Sequence, residues 1–279
     1  LLYRVEGLVI RSTDYGEGNK IVTLLTPDFG KQGIVVRGAK KLKSRYGSLA
    51  QVFTYGDYSY YKGGTLGTLN SGEIIRSFHE LRQGLDGPAY AAYAAELTDR
   101  AINDDEAAAN LFHQLLAFQS ALAEGKDPQI VVRAYEMKVV AAAGYEPNLD
   151  ECAGCGKSNV AFRFSPPAGG ALCHSCAYRD PGALELDDGA WRLLRIFAGM
   201  DMRRLGNVSV KESTKLQLRL ALRRWMDTHL GLNLKSRGFL DQLEKYGDML
   251  SPDVARPAPR VKPQPSPDEG TDRSDDPSV

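Results

Sequence analysis

Lys20-Ile21-Val22-Thr23-Leu24-Leu25-Thr26-Pro27-Asp28-Phe29-Gly30-Lys31-Gln32-Gly33-Ile34-Val35-Val36-Arg37 decides the fold class. Two short runs rich in β-branched residues, 20–26 and 32–37, flank a stretch with Pro27 and Gly30 at turn positions. The segment reads as two strands folded back on one another. Working outward, residues 3–12 are apolar-rich and form a further strand. Residues 52–61 alternate and carry Phe53, Tyr55, Tyr58, Tyr60 and Tyr61, and residues 67–75 follow Gly63-Gly64. Five short strands in one small module suit a closed barrel, because closure removes the exposed edges. The expectation for residues 1–78 is a five-stranded OB-fold.

Beyond residue 78 the apolar spacing becomes helical. Asp86 reads as a cap with Pro88 in the first turn, followed by Tyr90, Tyr93, Ala94 and Leu97 on one face. Asp104 opens a second helix with Ala108, Leu111, Phe112, Leu115 and Leu116. Asp127-Pro128 repeats the cap-then-proline signature, and Gly144 ends that helix. Trp191, Leu194 and Phe197 mark another helix, and residues 210–230 a longer one. The fold class expected is multi-domain α+β: the barrel (1–78), an all-α helical domain in two parts (79–147 and 183–248), an inserted module (148–182) and a disordered tail (249–279). The tail holds seven of the 14 prolines and no apolar stripe.

The insert carries all four cysteines as Cys152-x2-Cys155-x17-Cys173-x2-Cys176. Two C-x2-C pairs at this separation can complete a tetrahedron around Zn²⁺, with the segment between them folding back as a hairpin or loop. Four thiolates leave no open position, so one zinc per chain would be structural. Competing readings are two disulfides, which need an oxidising compartment, and a redox switch that releases zinc. His174 is either a shifted ligand or a solvent-facing residue of the knuckle.

Composition describes an ordinary globular protein, with 43% hydrophobic and 25% charged residues. No apolar run is long enough to span a membrane. Residues 1–7 lack the features of a signal peptide, so the cytoplasm is the expected location. The zero net charge hides a pattern: residues 1–80 and 191–250 are basic, and residues 81–190 are acidic. Such segregation argues for a polyanion partner, against the plainer reading that helices sort their charges. Five cations, Arg37, Lys40, Lys41, Lys43 and Arg45, fall in the nine residues from 37 to 45. A basic loop beside a barrel suits a nucleic-acid backbone, and Lys20, Lys31 and nearby tyrosines could extend it. Lys211, Lys215, Arg219 and Arg223 recur every four residues. They predict a basic ridge without compensating acids, fit for phosphate or an acidic peptide.

No catalytic constellation stands out: His79, His113, His174 and His229 are scattered, and no phosphate loop or nucleophile elbow is present. The chain resembles the RecO family of bacterial recombination mediators and DNA repair proteins. The likeness rests on Glu6-Gly7-Leu8-Val9-Ile10-Arg11 with Asp14-Tyr15-Gly16-Glu17 and residues 20–26. It rests also on Arg37-Gly38-Ala39-Lys40-Lys41 with Ser44-Arg45, on the four cysteines of the zinc-carrying branch, and on Leu234-Lys235-Ser236-Arg237 with Phe239-Leu240. That resemblance implies a non-catalytic protein that binds single- and double-stranded DNA and anneals complementary strands. With RecR it would help load RecA onto DNA coated by single-strand-binding protein, whose acidic, hydrophobic C-terminal tail it would grip through the helical domain. The Lys211/Lys215/Arg219/Arg223 ridge is the candidate for that grip on charge grounds. Two other classes fit parts of the sequence: a zinc-supported nucleic-acid-modifying enzyme, and a redox-regulated zinc chaperone.

Overall fold

The computed structural model describes residues 1–103, 109–158 and 162–250, the last four as backbone only. The helix start expected at Asp104 and the expected tail beyond residue 250 lie outside the described residues.

Strands β1 (Leu2–Tyr15), β2 (Asn19–Thr26), β3 (Gly30–Val36), β4 (Tyr55–Lys62) and β5 (Gly67–Arg76) form a closed barrel in the order β1-β2-β3-β5-β4. Alternation puts Val5, Val9, Val22, Leu24, Ile34, Val36, Tyr58 and Tyr60 into one buried interior. This is the barrel that the sequence predicts, with shifted strand ends. β4 begins at Tyr55, not at residue 52. Phe53 has a left-handed backbone, φ 76°, which cannot continue a strand. It is held there by its N–H to the Val9 carbonyl at 2.8 Å, and its side chain is buried in the helical core.

The six α-helices among the described residues are α1 (Asp86–Ala101), α2 (Ala109–Ala123), α3 (Pro128–Ala142), α4 (Asp188–Gly199), α5 (Glu212–His229) and α6 (Lys235–Leu250). Asp127 caps α3 as expected, accepting from the Gln129 and Ile130 amides at 3.0 and 3.4 Å. Gly144 takes φ 80° just past its end. Asp86 is the first residue of α1 and Leu85 its cap position. The Asp86 charge therefore complements the helix dipole instead of capping.

Barrel and helices share one core. Leu8, Ile10 and Leu25, outside the barrel interior, belong to the same apolar cluster as Leu97, Phe112 and Leu115. Helix α6 is fastened by polar groups. Glu244, 2% exposed, accepts from Arg133 at 2.9 Å and from the Tyr90 hydroxyl at 3.1 Å. Arg133 also bonds Glu136, which takes the Tyr93 hydroxyl at 2.7 Å. The N-terminus of α6 is capped from α1: Glu96 accepts the Lys235 amide at 3.0 Å, the Ser236 amide at 2.8 Å and the Ser236 hydroxyl at 2.6 Å. This gives the Lys235-Ser236 motif a structural role.

Burial pushes the Glu96 carboxyl up, but the bonds from Ser236 and Lys235 outweigh it and hold its pKa below 4.5. The stabilisation is complete above that ordinary value and is lost as pH falls through the depressed one. Glu96→Gln should therefore cost about 1 kcal/mol at pH 7, the usual worth of a cap. In urea titrations the gap to the parent protein should close as pH falls through the depressed pKa of Glu96. A gap of constant size would contradict the assignment.

Candidate metal centre and nucleic-acid interface

The insert folds as the sequence suggests. Strands β6 (Phe162–Ser165) and β7 (Gly170–Cys173) pair antiparallel, with Phe162 opposite Cys173. Cys152 and Cys155 sit on a tight turn closed by the Gly156 N–H to the Cys152 carbonyl at 2.8 Å. Cys173 ends β7, and Cys176 lies one turn into the short 3-10 helix that follows. All four sulfurs lie within 4.8 Å of one another, and Cys155 and Cys173 are 3.7 Å apart. A tetrahedral zinc thiolate shell has edges of about 3.8 Å, so the four cysteines fit such an ion. None is in a disulfide. His174 points to solvent, outside the cluster.

The surroundings of Cys152 suit a thiolate. Cys152 Sγ accepts from the Gly154 amide at 3.4 Å and the Cys173 amide at 3.3 Å. Burial raises the Cys152 thiol, but amides of Cys173, Gly154 and Cys155 overcome it and take the pKa down to about 6. Burial, then hydrogen bonds to the other three sulfurs and the Cys152 charge, pushes Cys176 up to about 12. The four groups cannot all ionise together without a cation between them. A Cβ on Gly154 would stand 2.9 Å from Cys176 Sγ, and one on Gly170, at φ 137°, 2.1 Å from the Asn148 carbonyl oxygen. The module rests on the helices through Phe164, fully buried, with its ring 5.4 Å from Trp225 and 6.1 Å from Trp191.

The basic loop stands on the barrel between β3 and β4. Arg37, Lys40, Lys41, Lys43 and Arg45 are all exposed. The loop is held to the barrel: the Gly38 amide donates to Asn19 Oδ1 at 2.9 Å and the Lys40 amide to the Gly18 carbonyl at 3.1 Å. Asp14 meets Lys40 at 2.8 Å and Lys20 at 3.4 Å. Those bonds, Lys40 first, hold the Asp14 carboxyl below its ordinary value. Among the described residues, Arg37, Lys41 and Lys43 have no acidic partner. Lys31 stands apart. Its side chain is 8% exposed, and its ammonium donates to the Asp99 carbonyl at 2.7 Å. It serves the C-terminal turn of α1, where unpaired carbonyls favour a cation. The opposite sign gathers on another face: register places Glu6, Asp57 and Glu73 in one row across β1, β4 and β5.

The cations expected as a ridge on α5 do not lack compensating acids. Lys211 is the cap position and lies outside the helix. Lys215 pairs with Asp127 and Glu212, both at 2.7 Å. Arg219 meets Glu244 at 3.4 Å, and Arg223 pairs with Asp241. The compensating acids come from α6, from the α3 cap and from the first turn of α5 itself. Three of the four predicted cations are therefore spent inside the molecule. No described helix is long and apolar enough to cross a membrane.

Family models cover both regions: "Recombination protein O N terminal" matches residues 1–78 and "Recombination protein O C terminal" matches residues 82–238. The chain belongs to the RecO family. It is 41% identical over 247 residues to the DNA repair protein RecO of Halalkalibacterium halodurans, covering 88% of this chain and 97% of that protein. It is 42% identical over 246 residues to that of Bacillus mycoides, with 88% and 99% covered. To that of Listeria monocytogenes it is 40% identical over 250 residues, with 90% and 98% covered. It is a DNA repair and recombination protein of this family, with a cysteine cluster that could hold a metal.

Gly154→Ala would drive a methyl group into the cysteine cluster. It is expected to lower the metal content found by elemental analysis and the thermal midpoint by several degrees, from about 1–3 kcal/mol of overpacking. Gly206→Ala, with open space at its Cβ, is the control. Equal behaviour of the two variants would contradict the packing argument.

Proposed function

We propose that the chain is a non-catalytic recombination mediator that binds single- and double-stranded DNA through its barrel, anneals complementary strands and cooperates with RecR to load RecA. The observation that carries this reading is the exposed set Arg37, Lys40, Lys41, Lys43 and Arg45 on a pinned loop, mostly without acidic partners. Such cations neutralise phosphates and release counterions without reading sequence. Annealing needs only that, because pairing of complementary strands is itself favourable. Lys20 joins the set through its place beside Lys40 and Asp14, whereas Lys31 is left out because Asp99 occupies it. The acidic row Glu6, Asp57 and Glu73 would repel phosphate from the β1–β4–β5 face and confine the strand.

The four cysteines support a structural Zn²⁺, one per chain. When bound, it supplies charge neutralisation and a crosslink, with Cys152, Cys155, Cys173 and Cys176 as its ligands. The units proposed are a DNA-binding barrel, 1–78, and a partner-binding helical body, 79–147 with 183–248, stapled by the module 148–182. For the acidic tail of single-strand-binding protein we favour the groove lined by Phe162, Leu186, Asp188, Trp191, Arg192, Arg195 and Ile196 over the α5 ridge, although Arg195 already pairs with Asp150 at 3.1 Å. Arg192 is exposed with no acidic partner among the described residues, and Ile196 is 46% exposed beside it.

Changing Lys40, Lys41, Lys43 and Arg45 together to Ala tests the reading. Titration with single-stranded oligonucleotides at several salt concentrations should show affinity falling at least tenfold at low salt. The log–log salt slope should flatten by about three, at about 0.7 per lost phosphate contact. An unchanged slope would remove the loop from the site.

Asp14→Asn gives the opposite sign. It releases Lys20 and Lys40 and removes a negative charge beside them, so oligonucleotide affinity should rise several-fold at low salt. Weaker binding by this variant would show that Asp14 positions the loop.

A further inference from the structure

Leu42 is the most exposed large apolar side chain among the described residues, at 101% of its reference area. Its position is unusual. The Ser44 amide donates to the Lys41 carbonyl at 2.9 Å, closing a turn with Leu42 and Lys43 at its two corners. Such corners ordinarily take Gly, Pro, Asn, Asp or Ser. The turn is not free to fold Leu42 onto the barrel. It is anchored by the Gly38 and Lys40 amides on one side and by buried Ala39, Leu49 and Ala50 beneath. The Tyr46 hydroxyl adds a bond to the Asn70 carbonyl at 3.2 Å. The side chain thus projects from a fixed corner, flanked by Lys41 and Lys43, neither of which has an acidic partner among the described residues.

We propose that Leu42 is a wedge that enters between neighbouring bases of a bound single strand while Lys41 and Lys43 hold the adjoining phosphates. This deepens the reading of the loop as a nucleic-acid site and rests on it. Apolar side chains inserted at a base step unstack it, and the cations on either side supply the attraction that brings the step to the corner. A strand held with steps pried open keeps its base-pairing edges available to a complement. Leu42 would then contribute to annealing more than to affinity.

The test uses the full chain and a single-stranded oligonucleotide containing 2-aminopurine, whose fluorescence rises on unstacking. Leu42→Ser and Leu42→Met are compared with the parent protein, with thermal midpoints confirming that each is folded. Leu42→Ser should bind within threefold of the parent with the same salt slope. Its fluorescence rise at saturation should drop at least fivefold and strand annealing should slow, while Leu42→Met restores both. Tight binding by the parent with no fluorescence rise would overturn the wedge. So would a rise that Leu42→Ser leaves intact, or a loss of affinity in Leu42→Ser as large as its loss of signal. Absence of any salt-sensitive binding by the parent protein would instead remove the DNA-binding reading of the loop.

Discussion

The molecule depends on one continuous apolar core that crosses every boundary drawn in the sequence. Leu8, Ile10 and Leu25 leave the barrel through its outer face and join α1 and α2. Phe53 enters the same core from the head of β4, at the cost of a left-handed backbone. Phe164 enters from the cysteine module and packs between Trp191 and Trp225. Apolar burial is the largest favourable term in folding, and here it also fixes orientation. The barrel cannot rotate against the helices without exposing these side chains.

That orientation sorts the charges. Where the helical body covers the barrel, a cation must find a partner, because burial penalises an unpaired charge. Lys31 finds Asp99. Deeper in the body, Arg133 is shared between Glu136 and Glu244, and the α5 cations meet Asp127, Glu244 and Asp241. On the uncovered side no such penalty applies, and Arg37, Lys41 and Lys43 stay in water. The electrostatic asymmetry of the barrel therefore follows from which side the apolar core leaves open.

The cysteine module uses a second kind of constraint. It contributes few residues to the common core, and its two-stranded hairpin is too small to stand alone. Four sulfurs gathered within 4.8 Å of one another could hold a metal in place of the missing apolar area, and the amides directed at Cys152 favour its thiolate form. Gly154 and Gly170 stand where side chains would collide with Cys176 and Asn148, so the module tolerates little variation there.

Much of this was legible in the chain. The strand pattern around 20–37, the Asp127-Pro128 cap, Gly144 and the paired C-x2-C motifs depend on neighbours a few residues away, and local chemistry is written locally. The sequence could not say that Glu96 caps α6, that Glu6, Asp57 and Glu73 share a row, or that the α5 ridge is neutralised. Those facts join residues far apart in the chain but close in space. Coulomb interaction depends on distance through the molecule, so a periodic run of cations looks unpaired until packing brings its acids to it. The sequence by itself determined a barrel, a helical body and a four-cysteine motif of the kind that can hold a metal. Tertiary packing alone decided which cations remain free, because only packing determines which of them lie next to an acid and which face solvent.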